Sequence, residues 1–107
     1  MAAALIDNND TLSSGVNIEN AAYPEGWCAE TSAISHMIMA KGTQIKAIGV
    51  MGLGDVLCTP CGGCRQRIRE FATPDTQVMI FDASGLRHTF TIADLLPSNF
   101  GPDNLDR

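Results

Sequence analysis

The chain is predicted to fold as an α/β layer structure, a mixed β-sheet flanked by helices. Three observations predict it. Short apolar runs with strand character alternate with two helical patterns along 107 residues. A cluster of turn residues joins the first two runs, which makes a leading hairpin. Each helical pattern opens on a cysteine.

Residues 1–6 are apolar and bounded by Asp7-Asn8-Asn9-Asp10, which suits a strand and a tight reversal, with 11–18 as the return strand. A loop follows over 19–27, punctuated by Pro24 and Gly26. From 28 to 41, Ala33, Ile34, Met37, Ile38 and Ala40 recur at three- and four-residue spacing, a buried helix ended by Gly42. Residues 44–51, with Ile45, Ala47, Ile48 and Val50, read as a strand, and 52–55 as a flexible connection. Pro60 introduces a second helix over 61–71, stopped near Pro74. Val78, Met79 and Ile80 make 76–81 a buried strand, which Asp82-Ala83-Ser84-Gly85 turns into a short strand over 87–91. Residues 92–96 read as one helical turn before Pro97, and the polar tail carries only Phe100 and Leu105 as large apolar groups. Met37, Met39 and Met51 are assigned to the core as adaptable filler, and Cys58 as a small buried hydrophobe.

The length suits a single domain over 1–107, which buries only roughly 60–65% of its unfolded surface, so a metal or a partner subunit would help to stabilise it. Hydrophobic residues make up 45%, above the disordered range, and no apolar run approaches the roughly 20 residues of a membrane span. The opening residues lack a basic n-region, so no secretory signal is read and a cytoplasmic location is expected. Seven basic against twelve acidic residues give a net charge of −5, the wrong sign for a protein that tracks phosphates. Arg65, Arg67 and Arg69 alternate along a helix and splay to different faces, so they form no basic stripe. Four cysteines in a chain read as leaderless favour metal binding or catalysis over disulfides.

Two segments carry the chemistry: Cys28-Ala29-Glu30 and Pro60-Cys61-Gly62-Gly63-Cys64. Both set thiols at helix N-termini, where free N–H groups and the macrodipole favour the thiolate that binds zinc. Cys61 and Cys64 share a helix face and Cys28 completes a three-ligand site, leaving the fourth tetrahedral position open to water, as catalytic zinc sites do. Glu30, two residues beyond a ligand, suits a proton shuttle rather than a ligand. The bland alternative is a closed four-cysteine knuckle that recruits Cys58, and it leaves Glu30 unexplained. His36 and His88 read as packing or surface residues, and Trp27 as a pocket wall or a packing residue.

A ligand-x-Glu element followed by Pro-Cys-x-x-Cys is the zinc deaminase pattern, in which a zinc-activated water attacks C4 of cytosine. The chain resembles the small homotetrameric zinc-dependent cytidine deaminases over nearly its whole length. The resemblance rests on Gly15-Val16-Asn17-Ile18-Glu19-Asn20-Ala21-Ala22-Tyr23-Pro24, Cys28-Ala29-Glu30, Pro60-Cys61-Gly62-Gly63-Cys64-Arg65-Gln66, and Leu95-Leu96-Pro97 leading to Phe100-Gly101-Pro102. It implies a deaminase of free cytidine and 2′-deoxycytidine, serving pyrimidine salvage, with Zn²⁺ as cofactor. It implies further that Asn17 and Glu19 bind the ribose hydroxyls, that Ala29 touches substrate, and that Phe100 reaches a neighbouring subunit's base. Tyr23 matches an interface residue near the neighbour's site.

The chain departs from the family in two places. Thr31 stands where the family commonly has an Arg whose guanidinium hydrogen-bonds the zinc thiolates. Three thiolates and Zn²⁺ sum to −1, so losing a nearby cation raises the pKa of bound water. A Thr31 hydroxyl donating to one thiolate, or Arg65 supplying charge from the other helix, would offset the loss. The family also opens with a helix and a Phe-Pro-Val-Gly segment ahead of the strand matched by residues 2–5, whereas this chain starts inside that strand. Two readings follow, a truncated sequence or a short form with an exposed sheet face and weaker substrate binding. The rival functions are a zinc-stabilised binding or oligomerising module without activity and a deaminase acting on nucleic acid or another cytosine compound, with the net charge and the Asn17/Glu19 pair counting against nucleic acid.

Overall fold

A computed structural model describes residues 1–107. Ala2–Asp7 (β1) and Leu12–Val16 (β2) form the expected antiparallel hairpin, with Ala4 opposite Ser14. Asp7 builds the turn: its Oδ1 accepts from the Asn9 and Thr11 amides at 2.8 and 3.0 Å, and Asp10 adopts the left-handed region at φ 60°. The free edge of β1 pairs antiparallel with Ile45–Met51 (β3), which in turn runs parallel to Gln77–Asp82 (β4). A parallel pair cannot be joined by a hairpin. Here the crossover carries the helix Gly62–Glu70 (α2). Gly85–Thr91 (β5) returns antiparallel, giving the sheet order β2-β1-β3-β4-β5. The predicted mixed α/β sheet is present.

The helix Ala29–Met39 (α1) lies across β1 and β2. Its buried stripe of Ala29, Ala33, Ile34 and Met37 meets Ala3 and Leu5, with Ile48, Val50, Ile68, Val78 and Ile80 completing the core. Met37 is core as expected, but Met39 is 86% exposed and Met51 is also exposed. The reason is periodicity. Two residues along a helix turn Met39 away from Met37, and one residue along β3 turns Met51 away from buried Val50. Met51 joins Ala2, Ala4, Val16, Gly49 and Phe81 in an apolar groove of about 520 Å³ on the other face of the sheet.

Gly15 sets how closely β2 approaches α1. A Cβ there would lie 2.5 Å from the Ser32 Cβ and 2.6 Å from the Ala33 backbone nitrogen. At its other end α1 stops where Lys41 takes φ 71° and the Gly42 amide bonds the Met37 carbonyl at 2.8 Å. The short helix Ile92–Leu95 (α3) is held by a reciprocal cap between Thr91 and Asp94. Two 3₁₀ turns, Tyr23–Glu25 and Pro102–Leu105, lie within the expected loop and tail. No helix is long and apolar enough to cross a membrane.

The return strand ends at Val16, two residues before the expected boundary. Ile18 instead forms an isolated bridge with Trp27, through N–H···O bonds of 2.8 and 3.0 Å. That bridge folds the 19–26 loop back on itself and delivers residues 17–19 to the start of α1.

Candidate active site

The two cysteine-bearing helix starts meet. Cys28 is the N-cap of α1 and Cys61 the N-cap of α2, both with extended backbone, so each side chain projects beyond its helix. Cys64 sits in the first turn of α2 and is fully buried. The three sulfurs lie within 4.8 Å of one another, and Cys28 Sγ is 3.9 Å from Cys61 Sγ. Tetrahedral zinc with Zn–S bonds of about 2.3 Å requires sulfurs about 3.8 Å apart. The donor set therefore fits zinc with small side-chain adjustments. Cys58 stays outside the cluster, against Gly52, with its Sγ 3.7 Å from the Met1 sulfur. The four-cysteine knuckle is not formed.

The thiols do not ionise equally. The Cys64 amide hydrogen-bonds the Cys61 sulfur and lowers the Cys61 pKa, as expected at a helix start. Burial raises Cys28 and pushes Cys64 up to about 12, against the opposing Thr31 hydroxyl and with the Glu30 charge adding to the rise. The helix starts alone thus favour one thiolate of the three. A cation among the sulfurs would stabilise the other two as thiolates.

Two of these thiols, Cys28 and Cys61, border a cavity of about 300 Å³ whose lining also includes Ala29, Glu30, Asn17, Glu19 and Trp27. Glu30 is 2% exposed. Asn17 Nδ2 donates to Glu19 Oε1 at 2.8 Å, which fixes the amide and the carboxylate as one unit at the cavity wall. Tyr23 and Phe100 do not line it: they are 89% and 57% exposed, and Phe100 is held through its carbonyl by Gln66 Nε2.

The three arginines of α2 have separate duties. Arg65 donates to the Pro60 carbonyl, the Leu95 carbonyl and Thr59 Oγ1 at 2.8–3.0 Å. It staples the loop ahead of Cys61, and its guanidinium reaches no ligand sulfur, contrary to the charge-supplying role expected of it. Arg69 is buried and anchors the tail through the Ala72 carbonyl, Asn99 and Asp103. Arg67 is the one that faces the cluster, with Nη1 3.2 Å from Thr31 Oγ1 and 3.9 Å from Cys64 Sγ. Thr31 Oγ1 is itself 3.6 Å from Cys64 Sγ. The sequence reading missed Arg67, although its position three residues past a ligand places it on the same helix face. His36 is exposed and bonds Ser14 on the neighbouring strand, and His88 stacks on Phe90 with ring centroids 4.1 Å apart. Neither enters the site.

The family model for the cytidine and deoxycytidylate deaminase zinc-binding region matches residues 1–80. The chain is 39% identical over 102 residues to a cytidine deaminase of Mycoplasma pneumoniae, covering 94% of this chain and 76% of that one. It is 35% identical to a cytidine deaminase of Sporosarcina psychrophila, covering 96% and 76%. Among solved structures, the cytidine deaminase of Burkholderia pseudomallei superposes with a TM-score of 0.84 at 33% identity, over 92% of this chain and 80% of that one.

Proposed function

Because the chain belongs to the cytidine deaminase family of zinc-binding hydrolases, we propose that it converts cytidine and 2′-deoxycytidine to the uridine products and ammonia, in pyrimidine salvage. The observation that carries this reading is the placement of Glu30, a buried residue lining the same cavity as Cys28 and Cys61 of the three-sulfur cluster and the Asn17–Glu19 pair.

In this reading Cys28, Cys61 and Cys64 would hold zinc, and the metal would supply the Lewis acidity that makes a water nucleophilic at neutral pH. Glu30 takes the proton from the attacking water as the C–O bond forms at C4 of the base, and passes it to the ring nitrogen N3. It then moves a second proton from the new hydroxyl to the amine, so that the C–N bond breaks and ammonia departs. One water is consumed and one ammonia released. Burial keeps bulk water from competing for these protons.

Asn17 and Glu19 offer a donor amide and an acceptor carboxylate to the ribose diol. Glu19 and Glu30 line the cavity, whose single cationic group is the Met1 ammonium that donates to Asn17 Oδ1 at 2.8 Å; two carboxylates against one ammonium favour an uncharged nucleoside over a nucleotide or a nucleic-acid strand. We assign Phe100 and Tyr23 to a neighbouring copy's site in a homotetramer; both project from their own chain rather than into its cavity. The free thiols suit a reducing, cytoplasmic compartment.

The test is ammonia release from cytidine by the zinc-loaded chain and by Glu30→Gln. The variant keeps every ligand, so its zinc content should equal that of the wild type, while kcat falls by about 10²–10⁴-fold. A zinc-loaded wild type that releases no ammonia, or a Glu30→Gln chain with near-normal turnover, overturns the reading.

A further inference from the structure

We propose that Arg67 is the positioning residue that neutralises the metal centre, and that Thr31 relays its hydrogen bond to the Cys64 sulfur. The inference rests on the zinc reading above and goes beyond it. Three thiolates around a divalent cation leave one net negative charge on a cluster whose Cys64 is fully buried. Such a centre requires a donor or a cation beside its sulfurs. Of the seven Lys and Arg side chains, Arg67 alone hydrogen-bonds a ligand sulfur.

Three contacts hold the guanidinium. Its Nη1 donates to Thr31 Oγ1 at 3.2 Å and lies 3.9 Å from Cys64 Sγ, and its carbon sits 5.4 Å from the centre of the Trp27 ring. With its oxygen accepting from Arg67, the Thr31 hydroxyl is free to donate its proton to Cys64 Sγ, 3.6 Å away. Arg67 as a whole is exposed, but its contact with Thr31 and Cys64 is partly shielded, which limits screening there. The stack on Trp27 keeps the guanidinium from swinging into solvent. Trp27 also lines the cavity, so one residue joins the far side of the metal cluster to the pocket wall. Arg65, closer in sequence to Cys64, is unsuited to this duty because its donors are committed to Pro60, Leu95 and Thr59.

The test compares wild type, Arg67→Met, Arg67→Lys, Thr31→Val and the remote control Arg87→Gln, which removes the same unit charge from β5, where Arg87 pairs with Asp82. Zinc affinity is measured by competition with a chelator, and each protein is also loaded with Co²⁺ to record the thiolate-to-cobalt charge-transfer band. Arg67→Met should lose about 10–100-fold in zinc affinity, as loss of a metal ligand's hydrogen-bonding partner typically does. Its cobalt band should move to longer wavelength, because a sulfur without its hydrogen bond gives up electrons more easily. Thr31→Val should move both readouts in the same direction. Arg67→Lys should fall between Met and wild type, and Arg87→Gln should match wild type. If Arg67→Met keeps wild-type zinc affinity and an unmoved cobalt band, the proposal is wrong. Equal losses in the Lys and Met variants with an unmoved band would reduce Arg67 to a packing residue and also overturn it. A wild type that binds no zinc would instead overturn the metal reading on which it rests.

Discussion

Gly15→Ala adds one methyl group in the strand that leads into the proposed ribose contacts, against the helix that carries Glu30. The new Cβ would lie 2.5 Å from the Ser32 Cβ, 2.6 Å from the Ala33 nitrogen and 2.8 Å from the Ser32 carbonyl carbon. Ordinary contact needs about 3.5–4.0 Å, so β2 and α1 must separate by roughly 1 Å. Two of the three atoms are helix backbone, which no rotamer change relieves. Overpacking of this kind costs about 1–3 kcal/mol, and a backbone clash belongs at the upper end. A loss near 3 kcal/mol lowers the melting temperature of a domain this size by about 12–24 °C, from roughly 4–8 °C per kcal/mol. The same shift moves Asn17 and Glu19 relative to Glu30, and a 1 Å misplacement can cost about 10²-fold in rate. Gly62→Ala is the matched control: nothing lies within 4 Å of its Cβ and it opens α2, so Ala should stabilise by up to about 1 kcal/mol. Thermal unfolding of both zinc-loaded variants, with kcat/KM for cytidine, provides the comparison. A Gly15→Ala chain that melts within about 3 °C of wild type would refute the close-packing account.

Asn17→Ala removes the amide that Glu19 orients in an exposed pair of the free chain, and a ribose hydroxyl left without its partner once cytidine covers the pair costs about 1–3 kcal/mol. Its kcat/KM for cytidine should fall about 5- to 150-fold with zinc content unchanged; an unaltered value would remove these residues from sugar recognition. Metal-free protein should lose stability as the pH rises from about 9 towards 12. Burial holds the Cys64 proton to about 12 in the folded chain while the unfolded chain releases it near 9, so over that interval the folded state binds more protons. Thermal melts of chelator-stripped protein across this interval should show a falling midpoint, and a rising one would contradict the burial of that thiol. Phe100→Ala should weaken cytidine binding about 5- to 150-fold, since stacking on a base contributes roughly 1–3 kcal/mol. Mixing that variant with an inactive Glu30→Gln chain should restore part of the activity by lending an intact aromatic, and no rescue despite proven subunit exchange would sink the shared site.

Most of the sheet was legible because its signals are local. The period-two burial of Ala3, Leu5 and Asp7, the Asp7–Asp10 turn and the glycine after the first helix each report on a few consecutive residues. The cysteine cluster was legible because its members fix helix starts, so one motif specified both the backbone and the ligands. What escaped depends on contacts far apart in sequence. Pairing of Ile18 with Trp27 spans a loop, and nothing in either residue's neighbourhood announces it. The methionines were misjudged where composition was read without phase, as the opposite exposures of Met37 and Met39 show.

The arginines are the most instructive case. Arg65, Arg67 and Arg69 are chemically identical and two residues apart, so the sequence separates their faces but not their partners. Their duties are decided by what each face meets: Arg65 by the carbonyls of Pro60 and Leu95, Arg69 by Asn99, Asp103 and the Ala72 carbonyl, Arg67 by Thr31. Arg67 and Thr31 belong together physically. A small hydroxyl at 31 leaves room for a guanidinium arriving from α2, whereas an arginine at 31 would bring its own charge to the same sulfurs. The charge that one helix start lacks is thus available from the other, 36 residues further along the chain.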